Sequence, residues 1–165
     1  MKAEQRVLIV DDEEVARETL KKVVERAGYA CVAVESGEEA LGVLRSWPAH
    51  VVVADHDMAG MTGVELLGAV SVRHPEMCRI LLSGRTDGDT ALSAINVAHV
   101  YCYLTKPCRS SELLTVLHFA CETFEAERES RRLLSVVSKQ EALLKELERR
   151  CPDVVQMARS ALAVS

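Results

Sequence analysis

The strongest constraint on this chain is an alternation: short β-branched runs recur along it, each followed by a longer stretch with helical periodicity. The first pair is Val7-Leu8-Ile9-Val10 and then residues 14–27, closed by Gly28. Residues 30–34 form the second run. Ser36 and Glu39 follow it at capping-box spacing, ahead of Ala40, Leu41 and Leu44, and Trp47-Pro48 ends that helix. Residues 51–54 and 79–82 are nearly all apolar, as central strands covered on both faces must be. The fifth run, residues 100–104, puts Tyr101 and Tyr103 on one strand face, and a helix starts near Ser110. Five such βα units in about 120 residues predict an α/β fold with a parallel, doubly wound sheet and right-handed crossovers. Its site should lie at the carboxyl ends of the strands.

The last quarter of the chain reads differently. Residues 111–150 contain neither Pro nor Gly, which predicts a helix of roughly 60 Å, more than a domain this small covers. Within it Leu133, Val137, Gln140, Leu144, Leu147 and Cys151 follow a 3-4 spacing suited to a coiled-coil seam. Glu127 with Arg131, Glu141 with Lys145 and Glu146 with Arg150 are favourably oriented i,i+4 pairs. Pro152 stops or kinks the helix. The segment beyond it places Val154, Val155, Ala158, Ala161 and Leu162 on one stripe, too short to be stable alone. The expected organisation is a domain at residues 1–122, a helical or coiled-coil extension at 123–151 and a short amphipathic segment at 152–165. Burial of the seam predicts a homodimer through the long helix.

Composition excludes several function classes. Twenty-five Asp and Glu against 20 Lys and Arg give a formal charge of -5, which offers no basic surface for direct nucleic-acid binding. No apolar run approaches the roughly 18 residues of a membrane span, and MKAEQRVLIVDDEE reads as no secretory leader, so no membrane association and a cytoplasmic location are expected. The six cysteines show no C-x-x-C pair and read as reduced thiols, and the five histidines have no metal-site spacing.

Polar groups converge where the apolar runs stop: Asp11-Asp12 after the first, Asp55 after the third, Ser83 after the fourth and Lys106-Pro107 after the fifth. Three neighbouring carboxylates cannot all stay ionised without compensation, and a hard divalent cation held by oxygens, with Mg²⁺ the usual choice beside phosphate, supplies it. An aspartate beside Mg²⁺, a lysine and a small hydroxyl is a suitable phosphoryl acceptor, being anionic already and flanked by cations that offset charge on the transferring oxygens.

These residues lie in motifs, VLIVDDEE, VVVADHDMAGMTG, RILLSG and YLTKP, whose order and spacing resemble the response-regulator receiver domains of two-component signalling. The resemblance runs from about Arg6 to Cys121 and implies a flavodoxin-like sheet of five strands in the order 2-1-3-4-5. It implies that Asp55 is the phosphoacceptor, that Asp12, Asp55 and the backbone carbonyl of Asp57 bind Mg²⁺, and that Asp11 acts mostly through water. It further implies that Ser83 and Lys106 contact the phosphoryl oxygens and that Tyr103 swings inward when Ser83 moves. The phosphoryl donor would be a histidine kinase or a phosphotransfer protein, and the chain would catalyse only its own phosphorylation and dephosphorylation. Signalling would pass through the surface of residues 87–119 or through altered pairing of the tail, with the chain acting alone or as part of a longer regulator.

The chain departs from the family pattern at Ala59, where Met-Pro is usual after the phosphoacceptor, and a looser loop is expected there. Asp57 and Arg85 stand at positions that, by the resemblance to receivers, flank the path of the attacking water, and they are expected to pair across the site and slow dephosphorylation. Two other readings compete. Asp55-His56-Asp57 followed by Leu81-Leu82-Ser83 is also compatible with a phosphatase of the haloacid-dehalogenase type, Asp55 as nucleophile and Asp57 as general acid, though that class takes its further metal-binding acids from a strand after the lysine. A phosphorylation-independent scaffold or adaptor would keep the fold and work through the coiled coil.

Overall fold

The computed structural model describes residues 4–84 and 88–163. Ten elements alternate before the chain ends in an eleventh: β1 (Arg6–Val10), α1 (Glu14–Arg26), β2 (Ala30–Val34), α2 (Gly37–Val43), β3 (Val51–Asp55), α3 (Gly63–Arg73), β4 (Cys78–Ser83), α4 (Gly88–Asn96), β5 (Cys102–Thr105), α5 (Ser110–Arg150) and α6 (Pro152–Leu162). The strands form one parallel sheet in the order β2-β1-β3-β4-β5. The flavodoxin-like α/β fold read from the sequence is the fold observed.

Strand alternation divides the core into two layers. Leu8, Val10, Val52, Ala54 and Leu81 face Ala40 and Leu44 near α2, Leu67 and Val70 of α3, and Ala94 of α4. Val7, Ile9, Val51, Val53, Ile80 and Leu82 face Val24 of α1 and Leu113, Leu117, Ala120 and Phe124 of α5. All of these side chains are buried, so the interiors of β1, β3 and β4 read as apolar runs because both faces are covered.

Local signals set the helix starts. The Ser36 hydroxyl accepts the Glu39 N–H at 3.2 Å, but the Glu39 carboxylate accepts from the Glu35 N–H rather than closing the box on Ser36. Thr62 and Glu65 close a full capping box on α3. At the fifth run the structure differs from the expected span. β5 starts at Cys102, and Tyr101 is an exposed residue outside the strand, preceded by His99 at a φ of 47°. Arg79 fixes this corner: its guanidinium donates to the carbonyls of Met77, Pro75, Ala98 and His99.

The chain divides into two compact units, Met1–Ala126 and Glu127–Ser165. In the first, Phe124 stacks on His50 with ring centroids 4.5 Å apart. In the second, Glu127 pairs with Arg131 and Glu146 with both Arg149 and Arg150, while Glu141 and Lys145 are not ion-paired among the described residues. Pro152 is the first residue of α6, and Arg159 reaches back to pair with Glu148. Leu133, Val137, Leu144 and Leu147 are 44–55% exposed, as are Leu134, Val136 and Leu143 beside them in comparable measure, so the single chain leaves the whole stripe uncovered.

Candidate functional site

The parallel register assembles the site. Val10 lies opposite Ala54, so Asp11 follows β1 beside Asp55, the last residue of β3. Asp55 lies opposite Leu82, and Ser83 closes β4 opposite Thr105, which precedes Lys106. The Lys106 N–H donates to the Ser83 carbonyl at 2.8 Å, extending the ladder one step beyond β5. The Lys106-Pro107 bond is cis.

Each acidic side chain has its own support. Asp11 is buried. One of its carboxylate oxygens accepts the Glu13 N–H at 2.9 Å, and its backbone carbonyl accepts from the Arg17 guanidinium at 2.8 Å. Asp12 is exposed, and its Oδ2 accepts the Ala59 N–H at 2.9 Å. Asp55 is 4% exposed, and Ser83 is fully buried. Lys106 Nζ lies 2.9 Å from Asp55 Oδ1 and 3.1 Å from Asp11 Oδ2.

Gly63 makes the floor of the site. A Cβ there would stand 2.3 Å from the Asp55 carbonyl oxygen and 2.8 Å from a methyl of Leu81, so only glycine lets α3 start this close to the end of β3. The loop between them is closed by the Met58 and Gly63 N–H groups, which both donate to the His56 carbonyl. Met58 is buried in the core, and Gly60 supplies a φ of +79°.

Electrostatically the site is short of positive charge. Burial pushes the Asp55 carboxyl above its ordinary range. The bond to Lys106 pulls it down, and the charges of Asp11 and Asp57 push it up again. Burial alone would lower the Lys106 ammonium, but Asp55 and Asp11 outweigh it and hold the group above its ordinary value. Lys106 therefore pairs with two carboxylates of a group of three. Ligand oxygens of Asp11, Asp12 and Asp55 lie within 4.8 Å of one another, the one such cluster among the described residues. Asp55 Oδ1 is buried and pairs with the Lys106 ammonium. Three carboxylates with oxygen donors at this spacing and a single lysine paired to two of them fit a hard divalent cation.

Of the residues singled out in the sequence, Asp11, Asp12, Asp55, Ser83 and Lys106 come together. Asp57 is exposed at the start of the loop, near enough to act on Asp55. Arg85 lies outside the described residues, and its pairing with Asp57 lies there with it. Tyr103 is half-buried against the core layer that holds Leu81, its register partner. Leu92, Ile95, Val97, Tyr101 and Phe119 are exposed apolar side chains within the expected signalling surface. Ala59, Gly63, Arg17 and Arg79 were not legible as supports of the site or fold: their contacts run through backbone atoms, which no spacing rule reports.

The chain's residues 7–118 match the family model described as the response regulator receiver domain. The hydrogenase transcriptional regulatory protein HoxA of Cupriavidus necator is 34% identical over 77% of the chain and 26% of that protein. The DNA-binding transcriptional regulator NtrC of Salmonella typhimurium is 31% identical over 77% of the chain and 27% of that protein. A solved signal receiver domain of an HD domain-containing protein from Pseudomonas fluorescens superposes with a TM-score of 0.72 at 30% identity, covering 74% of the chain and 98% of that domain. With the sheet order and the acidic cluster already in hand, these matches place the chain in the response regulator receiver family of two-component systems. It spans about a quarter of the length of the curated relatives it matches.

The receiver domain so identified belongs to a phosphoacceptor signalling family. Membership also ends the haloacid-dehalogenase reading, because Asp11 and Asp12 come from β1 and no strand follows β5 among the described residues. No helix of the described residues is long and apolar enough to cross a membrane.

Proposed function

We propose that Asp55 accepts a phosphoryl group from a phosphohistidine of a histidine kinase or phosphotransfer protein, in a Mg²⁺-dependent reaction that the receiver itself promotes. The observation that carries this reading is the charge imbalance: ligand oxygens of Asp11, Asp12 and Asp55 lie within 4.8 Å of one another, and Lys106 pairs with the two buried ones, most closely with Asp55 at the end of β3. Asp11, Asp12, Asp55 and the Asp57 carbonyl would hold the ion, Asp11 mostly through water. When bound, Mg²⁺ supplies positive charge against the oxygens of the transferring group.

Asp55 Oδ forms the new P–O bond as the P–N bond to the donor imidazole breaks, and the departing imidazole takes up a proton. Lys106, already seated against Asp55, pairs with a phosphoryl oxygen, and Ser83 hydrogen-bonds another. Because the Lys106 N–H is tied to the Ser83 carbonyl, movement at Ser83 is felt along β5, where Tyr103 follows inward. Asp57 and Arg85 modulate loss of the phosphoryl group.

The receiver occupies residues 1–122, followed by a helical extension at 123–151 and a short amphipathic segment at 152–165, and signalling passes through the receiver surface and the C-terminal helix by dimerisation or partner docking. The exposed leucine and valine stripe supports homodimerisation through α5. A cytoplasmic location agrees with a kinase or phosphotransfer partner. A phosphate-affinity gel after incubation with acetyl phosphate and Mg²⁺ tests the chemistry. A retarded band is expected for the natural chain, and none for Asp55→Asn or for a sample with EDTA. An unshifted natural chain, also with a cognate kinase, would favour the scaffold reading.

A further inference from the structure

We propose that the backbone N–H of Ala59 is a positioning donor that holds the Asp12 carboxylate ready for the divalent cation; this rests on the metal reading above. The bond itself is direct, 2.9 Å from the Ala59 nitrogen to Asp12 Oδ2, and it joins the loop after β1 to the loop after β3 across 47 positions of sequence. Receivers that carry Pro at this position have no N–H to give. This chain has Ala there, so the departure noted in its sequence creates a donor rather than merely removing a stiff residue.

A donor positions its acceptor only if it is itself held, and the β3–α3 loop holds this one. The Met58 and Gly63 N–H groups close the loop on the His56 carbonyl at 3.1 and 3.2 Å. The Met58 side chain is 8% exposed in the core, immediately before Ala59, and Gly60 immediately after it adopts the positive φ that turns the chain. Gly63 and the Thr62–Glu65 capping box then anchor the loop to α3. Asp12, by contrast, is exposed and lies between two elements, so without a tether its carboxylate is free to rotate toward solvent.

The tether leaves room for a ligand. A carboxylate offers about four lone-pair directions, so an oxygen that accepts from Ala59 still presents the rest of the group to a cation shared with Asp11 and Asp55. Groups that orient metal ligands in this way typically change affinity by roughly 10–100-fold. Both partners are exposed here, which puts the expected effect at about three- to tenfold.

Calorimetric titration of the full chain with MgCl₂ alone tests this, with Ala59→Gly and Ala59→Pro beside the natural protein. Ala59→Gly keeps the N–H and is expected to bind within about twofold of the natural chain, whereas Ala59→Pro is expected to bind three- to tenfold more weakly. Equal affinities for all three chains, or equal weakening of both variants, would overturn the positioning role while leaving the metal site intact. Absence of Mg²⁺ binding by the natural chain would overturn the metal reading and the inference with it. Amide exchange of Ala59 in the natural chain supplies a readout that needs Ala59→Pro neither to fold nor to bind. Protection that is lost in Asp12→Ala supports the bond, and exchange at the unprotected rate refutes it.

Discussion

A Cβ on Gly63 would stand 2.3 Å from the carbonyl oxygen of Asp55, so the end of β3 and the first residue of α3 are in backbone contact that no other residue type permits. The contact sets how far the end of β3 reaches into the site. It also explains why the capping box falls on Thr62 and Glu65, one residue before that approach and two after it.

Gly63→Ala should therefore destabilise the receiver by about 2–3 kcal/mol, because the atoms it meets are backbone and a packed leucine methyl. Gly37→Ala is the control. Its Cβ would meet a side chain rather than backbone, Met61 Sδ at 2.7 Å and Met61 Cβ and Cγ at 3.2 Å, and a smaller cost of about 1 kcal/mol is expected. Urea midpoints of the two variants check the difference.

The Asp55 carboxyl pKa is raised, first by burial and then by the charges of Asp11 and Asp57. A raised folded-state pKa contributes stability below the unfolded value and loses it as pH rises through the folded one. Asp55→Asn is therefore expected to unfold at higher denaturant than the natural chain at pH 7. The gap should close as pH falls below 3.8, where the carboxyl is protonated in both states. A midpoint difference independent of pH would show that Asp55 carries no such charge burden.

Mg²⁺ should stabilise the folded receiver by mass action, by about 2.7 kcal/mol at 100 times its Kd. The rise in Tm is expected to vanish in Asp55→Asn and to shrink in Asp12→Asn, since both donate to the cluster. Thermal unfolding across a MgCl₂ series measures it.

Arg79→Leu removes donors from the Met77, Pro75, Ala98 and His99 carbonyls around the start of β4 and the approach to β5. A loss of about 1–3 kcal/mol is expected, together with faster amide exchange at Val100 and Tyr101, whose N–H groups donate to the Ala94 and Arg79 carbonyls.

Leu144→Glu places a charge in the exposed stripe of the second unit. Light scattering across a concentration series is expected to show a dimer for the natural chain and a monomer for the variant. A natural chain that stays monomeric would leave the stripe without this partner.

Much of this architecture can be read from residue patterns, because a two-sided sheet demands it. Val7 and Ile9 against Leu8 and Val10 are all apolar, yet they serve opposite layers, and the run alone signals a covered strand. The charged and polar residues at the strand ends, Asp11, Asp12, Asp55, Ser83 and Lys106, stand out because they interrupt apolar runs at one end of each. What pattern did not show is where backbone decides. Tyr101 lies in an apolar-looking run but falls outside β5, where His99 turns the chain at a positive φ before it. Ala59 looked like the loss of a rigid residue, and in the fold it is the gain of a donor to Asp12. Gly63 sat unremarked inside a motif until its distance to Asp55 was known.

The central claim is that the phosphoryl group goes to Asp55, and the most direct measurement is chemical trapping. The chain, incubated with acetyl phosphate and Mg²⁺, is reduced with borohydride, which converts an acyl phosphate to a primary alcohol, and its peptides are sequenced by mass spectrometry. Conversion of Asp55 alone, absent when EDTA replaces Mg²⁺, is the expected result. Conversion of Asp11, Asp12 or Asp57 instead, or of no carboxylate under conditions where a control receiver is labelled, would contradict it.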